Sequence, residues 1–437
     1  MSSRHDSDLS LPRIARVSQR FDQPEVVDVP SAVARAVFES RIRSRVKPGA
    51  EVAVTVGSRG IAGIEAIACA VVDSLEALEF EPFVVAAMGS HGGGTPEGQR
   101  ALLAELGVTE ESVGCPIRTE LDTVVLGVNG FGLPIHFDRN AFHADGIVLL
   151  NRIKPHTSFT GRYESGLLKM LTIGLGKRQG AAQVHKLGLP GLNQLLPEVG
   201  AFLLEKTPVA LGIGLLENAR EHTAKVVAVE PEDLLEIEPK LLGLARTLMA
   251  TLPYNQIDVL IVGELGKNYS GTGLDPNVIG RQRVETMPDL PRPVVTRLAV
   301  LDLSVETRGN GLGVGLADLT TERLVRALDP TPIRVNSLTS NLLARARVPL
   351  SLPTDRDVIS ACLDTCWRTE WSDARMVIIP NTLELTSLWV TEPLAAETRA
   401  SARLSFETPF EPMPFDSLEN LDQERLFPDS LRARRNR

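Results

Sequence analysis

Residues 51–106 read EVAVTVGSRGIAGIEAIACAVVDSLEALEFEPFVVAAMGSHGGGTPEGQRALLAEL. Two short apolar runs, EVAVTV (51–56) and PFVVAAM (82–88), each lead into a stretch of helical spacing, IAGIEAIACAVVDSLEAL and TPEGQRALLAEL. A strand that is apolar at nearly every position is covered on both faces, as in a parallel sheet sandwiched between helices. The alternation returns with GIVLL (146–150), VALGIGL (209–215) and IDVLIVG (257–263). The expected fold class is therefore α/β with mainly parallel sheets. Ligands on such sheets bind beyond the carboxyl ends of the strands. The glycine-rich turns GSRG (57–60) and GSHGGGT (89–95) follow the first two strands and belong to that region.

At 437 residues the chain exceeds a single typical core, so two α/β domains with an active-site cleft between them are expected. The first spans 1–252 and ends after the amphipathic stretch EPEDLLEIEPKLLGLARTLMATL (230–252); a Pro-Tyr-Asn break at 253–255 opens the second, 253–400. Its clearest elements are RLAVLDLS (297–304), TTERLVRAL (320–328) and ARMVIIPNTLEL (374–385). The Pro-rich, charged stretch 401–437 is expected to be a surface or disordered tail.

Apolar residues at 43% and charged residues at 23% suit a globular protein with real cores. The net charge of −9 argues against nucleic acid and against an anionic membrane surface as partners, leaving a small molecule as the expected substrate. Cys69, Cys115, Cys362 and Cys366 do not form a disulfide framework, and Cys362 and Cys366, four apart, read as two thiols on one helix face. The polar N-terminus lacks the apolar region of a signal peptide, and no run of about 18 apolar residues spans a membrane, so a cytoplasmic location is expected.

The chemistry concentrates in four residues. His91 lies among glycines just past a strand, before a helix that Thr95 would cap with Pro96 at its first position. His156 follows Lys154-Pro155, where the proline makes a rigid corner beyond strand 146–150. Lys169 sits in the apolar helical stretch SGLLKMLTIGLG, either snorkelling to water or desolvated and nucleophilic; its glycines, Gly166, Gly174 and Gly176, are expected at close approaches or tight turns. His185 comes sixteen residues after Lys169, past the polar turn KRQGAAQ. Imidazoles exchange protons near neutrality and bind metals, so several in one cleft point to acid–base or metal chemistry. Glu217, Asn218, Asn381 and Thr382, near strand ends, suit a cleft wall or turn capping equally, and Trp389 suits a substrate wall or the core.

In their order and spacing, His91, Pro155-His156, Lys169 and His185 resemble the nickel-dependent lactate racemase family and its wider group of 2-hydroxyacid racemases and epimerases. The resemblance covers roughly residues 30–395. It implies a nickel-pincer nucleotide, a pyridinium-3,5-bisthiocarboxylic acid mononucleotide carrying nickel, and hence a dependence on cofactor-synthesis enzymes. His185 would be the metal ligand and Lys169 would lie beside, or be joined to, the cofactor. His91 and His156 would form the acid/base pair, each taking the hydroxyl proton of one enantiomer of a small 2-hydroxy acid. Ser58, Arg59, Gly92 and Gly93 would contact the cofactor, and Arg59 and Lys267 would meet phosphate or carboxylate. The first loop departs from the family's Ser-Asp-x-Thr-Arg-Pro in reading Gly57-Ser58-Arg59-Gly60, and the histidine loop has three glycines where arginine and proline are commoner. Lactate is therefore not assumed as substrate. The alternatives are a zinc-type metallohydrolase using His91, His156 and His185, and a cofactor-binding relative without catalysis.

Overall fold

A computed structural model describes residues 10–430 apart from Arg59 and Thr286; for Val184, His185, Lys186, Leu189 and Pro190 it describes the backbone alone. Strand β1 (Ile14–Gln19) belongs to the second of two units. One unit is Gln23–Met249, and the other combines Met1–Asp22 with Ala250–Arg437.

The first unit is built on β2 (Glu51–Val56), β3 (Glu81–Ala86), β4 (Ile117–Arg118), β7 (Gly146–Arg152), β8 (Val209–Glu217) and β9 (Thr223–Val229), while β5 (Thr123–Val128) and β6 (Pro134–Asp138) form a separate hairpin. The sheet order is β4-β3-β2-β7-β8-β9, parallel except for β9. Its strands feed two cores at once: Ala53, Phe83, Val85, Ile147 and Leu149 pack on one side. Val52, Val54, Val84, Val148 and Leu150 pack on the other. With period-two side chains and both faces covered, every position must be apolar, which is why these strands read as unbroken hydrophobic runs. The helices used below are α1 (Val29–Phe38), α2 (Ile64–Glu76), α3 (Pro96–Glu105), α4 (Lys177–Lys186), α5 (Gly188–Lys206) and α6 (Leu234–Leu248).

The second unit's sheet runs β13-β12-β11-β10-β14-β15-β1-β16, with β10 (Gln256–Leu265), β11 (Val294–Leu303), β12 (Leu319–Thr321), β13 (Leu350–Leu352), β14 (Met376–Ile379), β15 (Ser387–Thr391) and β16 (Leu404–Phe406). The five strands from β13 to β14 are parallel; β15, β1 and β16 pair antiparallel. Here too Leu260 and Val262 serve one core and Val259 and Ile261 the other.

Two expectations about the chain's ends need correction. Residues 14–19 do not join the first domain but insert between β15 and β16, because Ile14, Ala15 and Val17 are fully buried there. The stretch after 400 is no surface tail as far as it is described: β16 pairs with β1, and Met413, Leu421, Leu426 and Phe427 enter the second core. Trp389 is a core residue whose indole Nε1 donates to Leu426 O at 2.9 Å. Cys362 and Cys366 are buried free thiols, and burial pushes the Cys362 thiol far up. Among the described residues no helix is long and apolar enough to cross a membrane.

Candidate active site

In the first sheet the chain builds outward from β2 through β3 to β4, then returns to the other side of β2 with β7 and β8. The order therefore reverses between β2 and β7, and the loops leaving these parallel strands part there, opening the crevice that α/β sheets use for ligands. The His91 loop after β3, the loop from Gly57 after β2 and the His156 loop after β7 all emerge at this end.

His91 is exposed within a turn in which Gly89, Gly92, Gly93 and Gly94 all have positive φ, a backbone path that only glycine follows without strain. Buried Gln99 anchors the turn, its Nε2 donating to Gly89 O at 3.0 Å and His91 O at 3.3 Å. Thr95 caps α3 by accepting from Gly98 N at 3.1 Å, with Pro96 at the first position as expected. The two glycines assigned to the cofactor differ: a Cβ on Gly92 would lie 2.6 Å from the Gly98 carbonyl carbon, so Gly92 serves packing on α3, whereas at Gly93 it would meet nothing within 4 Å.

His156 stands in a loop closed at its neck by reciprocal backbone bonds between Lys154 and Ser165, 2.9 and 3.3 Å. Inside the loop Glu164, only 2% exposed, accepts from His156 N at 2.7 Å, Gly161 N at 2.8 Å and the Arg246 guanidinium of α6 at 2.5 Å. Burial raises the Glu164 pKa, against the lowering effect of those three donors. The His156 ring accepts from Ser158 N through Nδ1 at 3.0 Å and lies over Phe159 with 4.4 Å between ring centroids.

The expected helix around Lys169 is a single α turn, Leu167–Lys169, that widens into a π-helical turn, Met170–Gly174. Such π turns recur at functional sites. Two groups hold the start of the turn: Asn151 Nδ2 donates to Gly166 O at 2.8 Å, and Glu238 of α6 accepts from Leu168 N at 2.9 Å. At 166 the Glu238 carboxylate fills the space a side chain would take, 2.5 Å from where a Cβ would lie, and glycine is required at 174 because a Cβ would lie 2.6 Å from Ala87 O. Glu238 is 1% exposed, and burial pushes its pKa up to about 7. Lys169 itself is half-buried.

These loops interlock. Gly89 N donates to Gly174 O at 3.2 Å, and a Cβ on Gly57 would sit 3.1 Å from Met170 Cε, so the loops after β3 and β2 both rest on the turn carrying Lys169. Lys177, which the sequence reading placed in a polar turn, is fully buried, with Nζ 2.6 Å from Asp138 Oδ2 and 2.7 Å from Ala86 O at the end of β3. Glu217, at the end of β8, pairs with Arg152 at the end of β7 and accepts from Ala62 N at 3.0 Å, tying these two strand ends to the segment before α2. Asn218 has the turn role, accepting from Arg220 N at 2.9 Å and His222 N at 3.2 Å.

Ser58 is half-buried in the β2 loop, while Arg59 lies outside the described residues. His185 is in the last turn of α4, not in a loop, with only its backbone described. Lys267 belongs to the second unit, just past β10, where that sheet also reverses order between β10 and β14. Its Nζ donates to Gly271 O at 2.8 Å. Asn381 and Thr382, past β14, are buried turn residues, Asn381 accepting from Leu383 N and Glu384 N at 2.9 Å each, Thr382 from Asp275 N at 3.0 Å. Among the described residues no three His, Cys, Asp or Glu side chains cluster closely enough to hold a metal.

Residues 8–193 match the family model described as the lactate racemase N-terminal domain. A solved lactate racemase apoprotein from Thermoanaerobacterium thermosaccharolyticum shares the fold, with a TM-score of 0.52 over 85% of this chain and 99% of that one at 13% identity. No curated protein matches the chain. The matched segment contains the loops of His91 and His156, the Lys169 turn and all of α4. Sequence reasoning missed Glu164, Glu238, Lys177 and Asn151, which hold those loops in place.

Beside Gly93, where a Cβ would meet nothing within 4 Å, the His91 loop leaves room for a ligand. The Lys169 turn lies directly against the β2 loop.

Proposed function

We propose that this protein is a racemase or epimerase of a small 2-hydroxy acid that works with a nickel-pincer nucleotide. The observation that carries the reading is the family match over residues 8–193, within which His91, His156 and Lys169 stand on interlocked loops at one switch point. Ser58, Arg59 and Gly93 would receive the nucleotide, Lys169 would stand beside one of its thiocarbonyl arms or be joined to it, and His185 would bind nickel, for which an imidazole nitrogen is a fitting ligand. When bound, the group would accept a hydride from the α-carbon and return it to either face. The chain's own task is to hold the substrate carboxylate or the cofactor phosphate, for which Arg59 and Lys267 are the candidate cations of their respective units, and to manage the hydroxyl proton, through the imidazoles of His91 and His156 as an acid/base pair.

Co-expression with cofactor-synthesis enzymes, followed by metal analysis and a chiral screen of small 2-hydroxy acids and sugar acids, tests the reading. The expected outcome is about one nickel per chain and loss of optical purity in at least one substrate. A nickel-loaded protein that leaves every tested acid unchanged would count against racemisation. Stoichiometric zinc without a pyridinium chromophore would count against the cofactor.

A further inference from the structure

The connection between β12 and β13 folds into a short helix, Glu322–Ala327, a longer helix α7 (Pro330–Ser340) and a 3-10 turn, Leu343–Ala346. Asp329 caps α7 by accepting from Thr331 N at 2.8 Å, with Pro330 at the first position. These pieces form a groove of about 540 Å³ whose lining comes from this connection alone, with Leu328, Ile333, Leu338, Leu343 and Val348 as its apolar walls. That volume falls among small-molecule sites, about 300–1,000 Å³. Every lining residue lies outside the 8–193 segment that matches the racemase model, so the groove is independent of the proposed reaction.

Two features separate this groove from ordinary apolar surface. Ile333 and Ser337, four apart, share the inner face of α7, and both are buried. Ile333 suits that face, whereas Ser337, only 3% exposed, brings a hydroxyl to it. Helix hydroxyls elsewhere in the protein bond back to the carbonyl four residues earlier, as Ser74 Oγ does to Ala70 O at 2.6 Å and Thr398 Oγ1 to Leu394 O at 2.8 Å. On α7 itself Thr339 does the same to Val335 O at 2.8 Å. Ser337 Oγ has no hydrogen-bond partner among the described residues, although it belongs to the groove lining. A hydroxyl taken out of water and left unpaired destabilises the free fold, and a bound oxygen would satisfy it. The second feature is charge. Arg334 and Arg347 are the charged residues of the lining, both exposed, and among the described residues neither guanidinium is hydrogen-bonded or ion-paired. Arg326, on the neighbouring short helix, by contrast pairs with Glu322 at 3.2 Å. Arg334 precedes Ser337 by three residues and so lies beside it on α7. We propose that the groove binds a small organic acid with an unbranched apolar chain, the carboxylate meeting Arg334 and Arg347 and accepting from Ser337 Oγ while the chain lies along Ile333, Leu338, Leu343 and Val348. The guanidinium fork matches a carboxylate, and apolar walls with a few placed polar groups suit the rest of such a molecule. An inorganic anion would leave the walls wet, and an uncharged apolar molecule would leave two cations and a hydroxyl unanswered.

Isothermal titration calorimetry of the full chain with octanoate, held below its micelle concentration, tests the proposal without any cofactor, so this result and the racemase reading stand or fall separately. The expected outcome is about one octanoate per chain, with acetate, which lacks the chain, and 1-octanol, which lacks the charge, each weaker by about tenfold or more. Arg334→Gln combined with Arg347→Gln should also lose about tenfold or more, as charge-assisted hydrogen bonds do when their cation is removed. Both arginines are exposed, so this variant keeps the circular dichroism of the parent. Ser337→Ala should weaken octanoate and at the same time raise the melting temperature of the unliganded protein, because it removes the unpaired hydroxyl. Absence of octanoate binding, acetate binding as tightly as octanoate, or parental affinity in the double arginine variant would each overturn the proposal. So would sedimentation showing a dimer that Leu338→Glu dissociates, since a second copy of the chain would then be what covers the groove.

Discussion

Lys177 shows how much a single side chain can do without touching a ligand. Its ammonium and the Asp138 carboxylate are both removed from water, and Asp138 also caps a short helix through Ala141 N at 2.8 Å. Breaking a buried pair leaves one charge uncompensated, which costs about 3–5 kcal/mol. Lys177→Met should therefore lower the unfolding free energy by that amount in urea titrations, and Lys177→Met with Asp138→Asn should recover part of it. A loss below about 1 kcal/mol in the single variant would contradict the buried pair. At the proposed metal ligand, His185→Ala should abolish nickel retention in the co-expressed protein while leaving the far-ultraviolet circular dichroism of the parent; retained stoichiometric nickel would remove His185 from the site. At this scale the sequence was legible where local rules act. Thr95-Pro96 announces a capped helix, and Pro155 announces the corner at His156. It was silent on Lys177 and Glu164, because nothing local separates Lys177 from the neighbouring Arg178 or Glu164 from a surface glutamate; their burial is decided by β3 and α6, far away in the chain.

Among the elements, the turn at 166–174 is the one whose form depends most on its surroundings. Glycines at 166 and 174 read as helix weakeners, yet they admit the Glu238 carboxylate on one side and the Ala87 carbonyl on the other, and the chain answers with a π turn. The strands were legible for the opposite reason: a strand covered on both faces has one readable pattern, and EVAVTV forms β2 with the expected limits. Glu238 gives this element a pH signature. Burial raises its pKa to about 7, with the Leu168 and Leu167 amides opposing. An acid whose folded-state pKa lies above its unfolded value, near 4.5, binds its proton more tightly in the native state. Its contribution is therefore complete below pH about 4.5 and is lost as the pH rises towards 7, on the order of 3 kcal/mol in all. Glu238→Gln, which keeps an acceptor for Leu168 N, should flatten the fall in unfolding free energy between these pH values. Equal slopes in the two proteins, measured by urea titration at half-unit intervals, would mean that Glu238 ionises as an ordinary surface carboxylate does.

Over the whole molecule, both sheets are wound in the same way, outward on one side of β2 or β10 and back on the other, with the candidate residues of each unit past the strands at the reversal. The division of the chain between them was only partly legible. The break after α6 is written in Pro253, whereas the partners of β1 lie at the opposite end of the sequence, where no local pattern can announce them. The strand forms five residue pairs with β15 and three with β16, and it buries Ile14, Ala15 and Val17 completely. Burial of Ile14 and Val17 alone contributes roughly 3–6 kcal/mol, comparable with the entire margin of about 5–15 kcal/mol by which a domain is folded. A chain beginning at Gln23 should accordingly be damaged in one unit and not in the other. Peptide-resolved hydrogen exchange should show β15 and β16 losing protection, with β14 following as β15 becomes an exposed edge, while β2, β3 and β7 keep the protection of the full-length protein. Equal loss in both sheets would mean that the units do not fold as separate cooperative bodies, and unchanged protection at β15 would mean that β1 is not an integral strand of the second sheet.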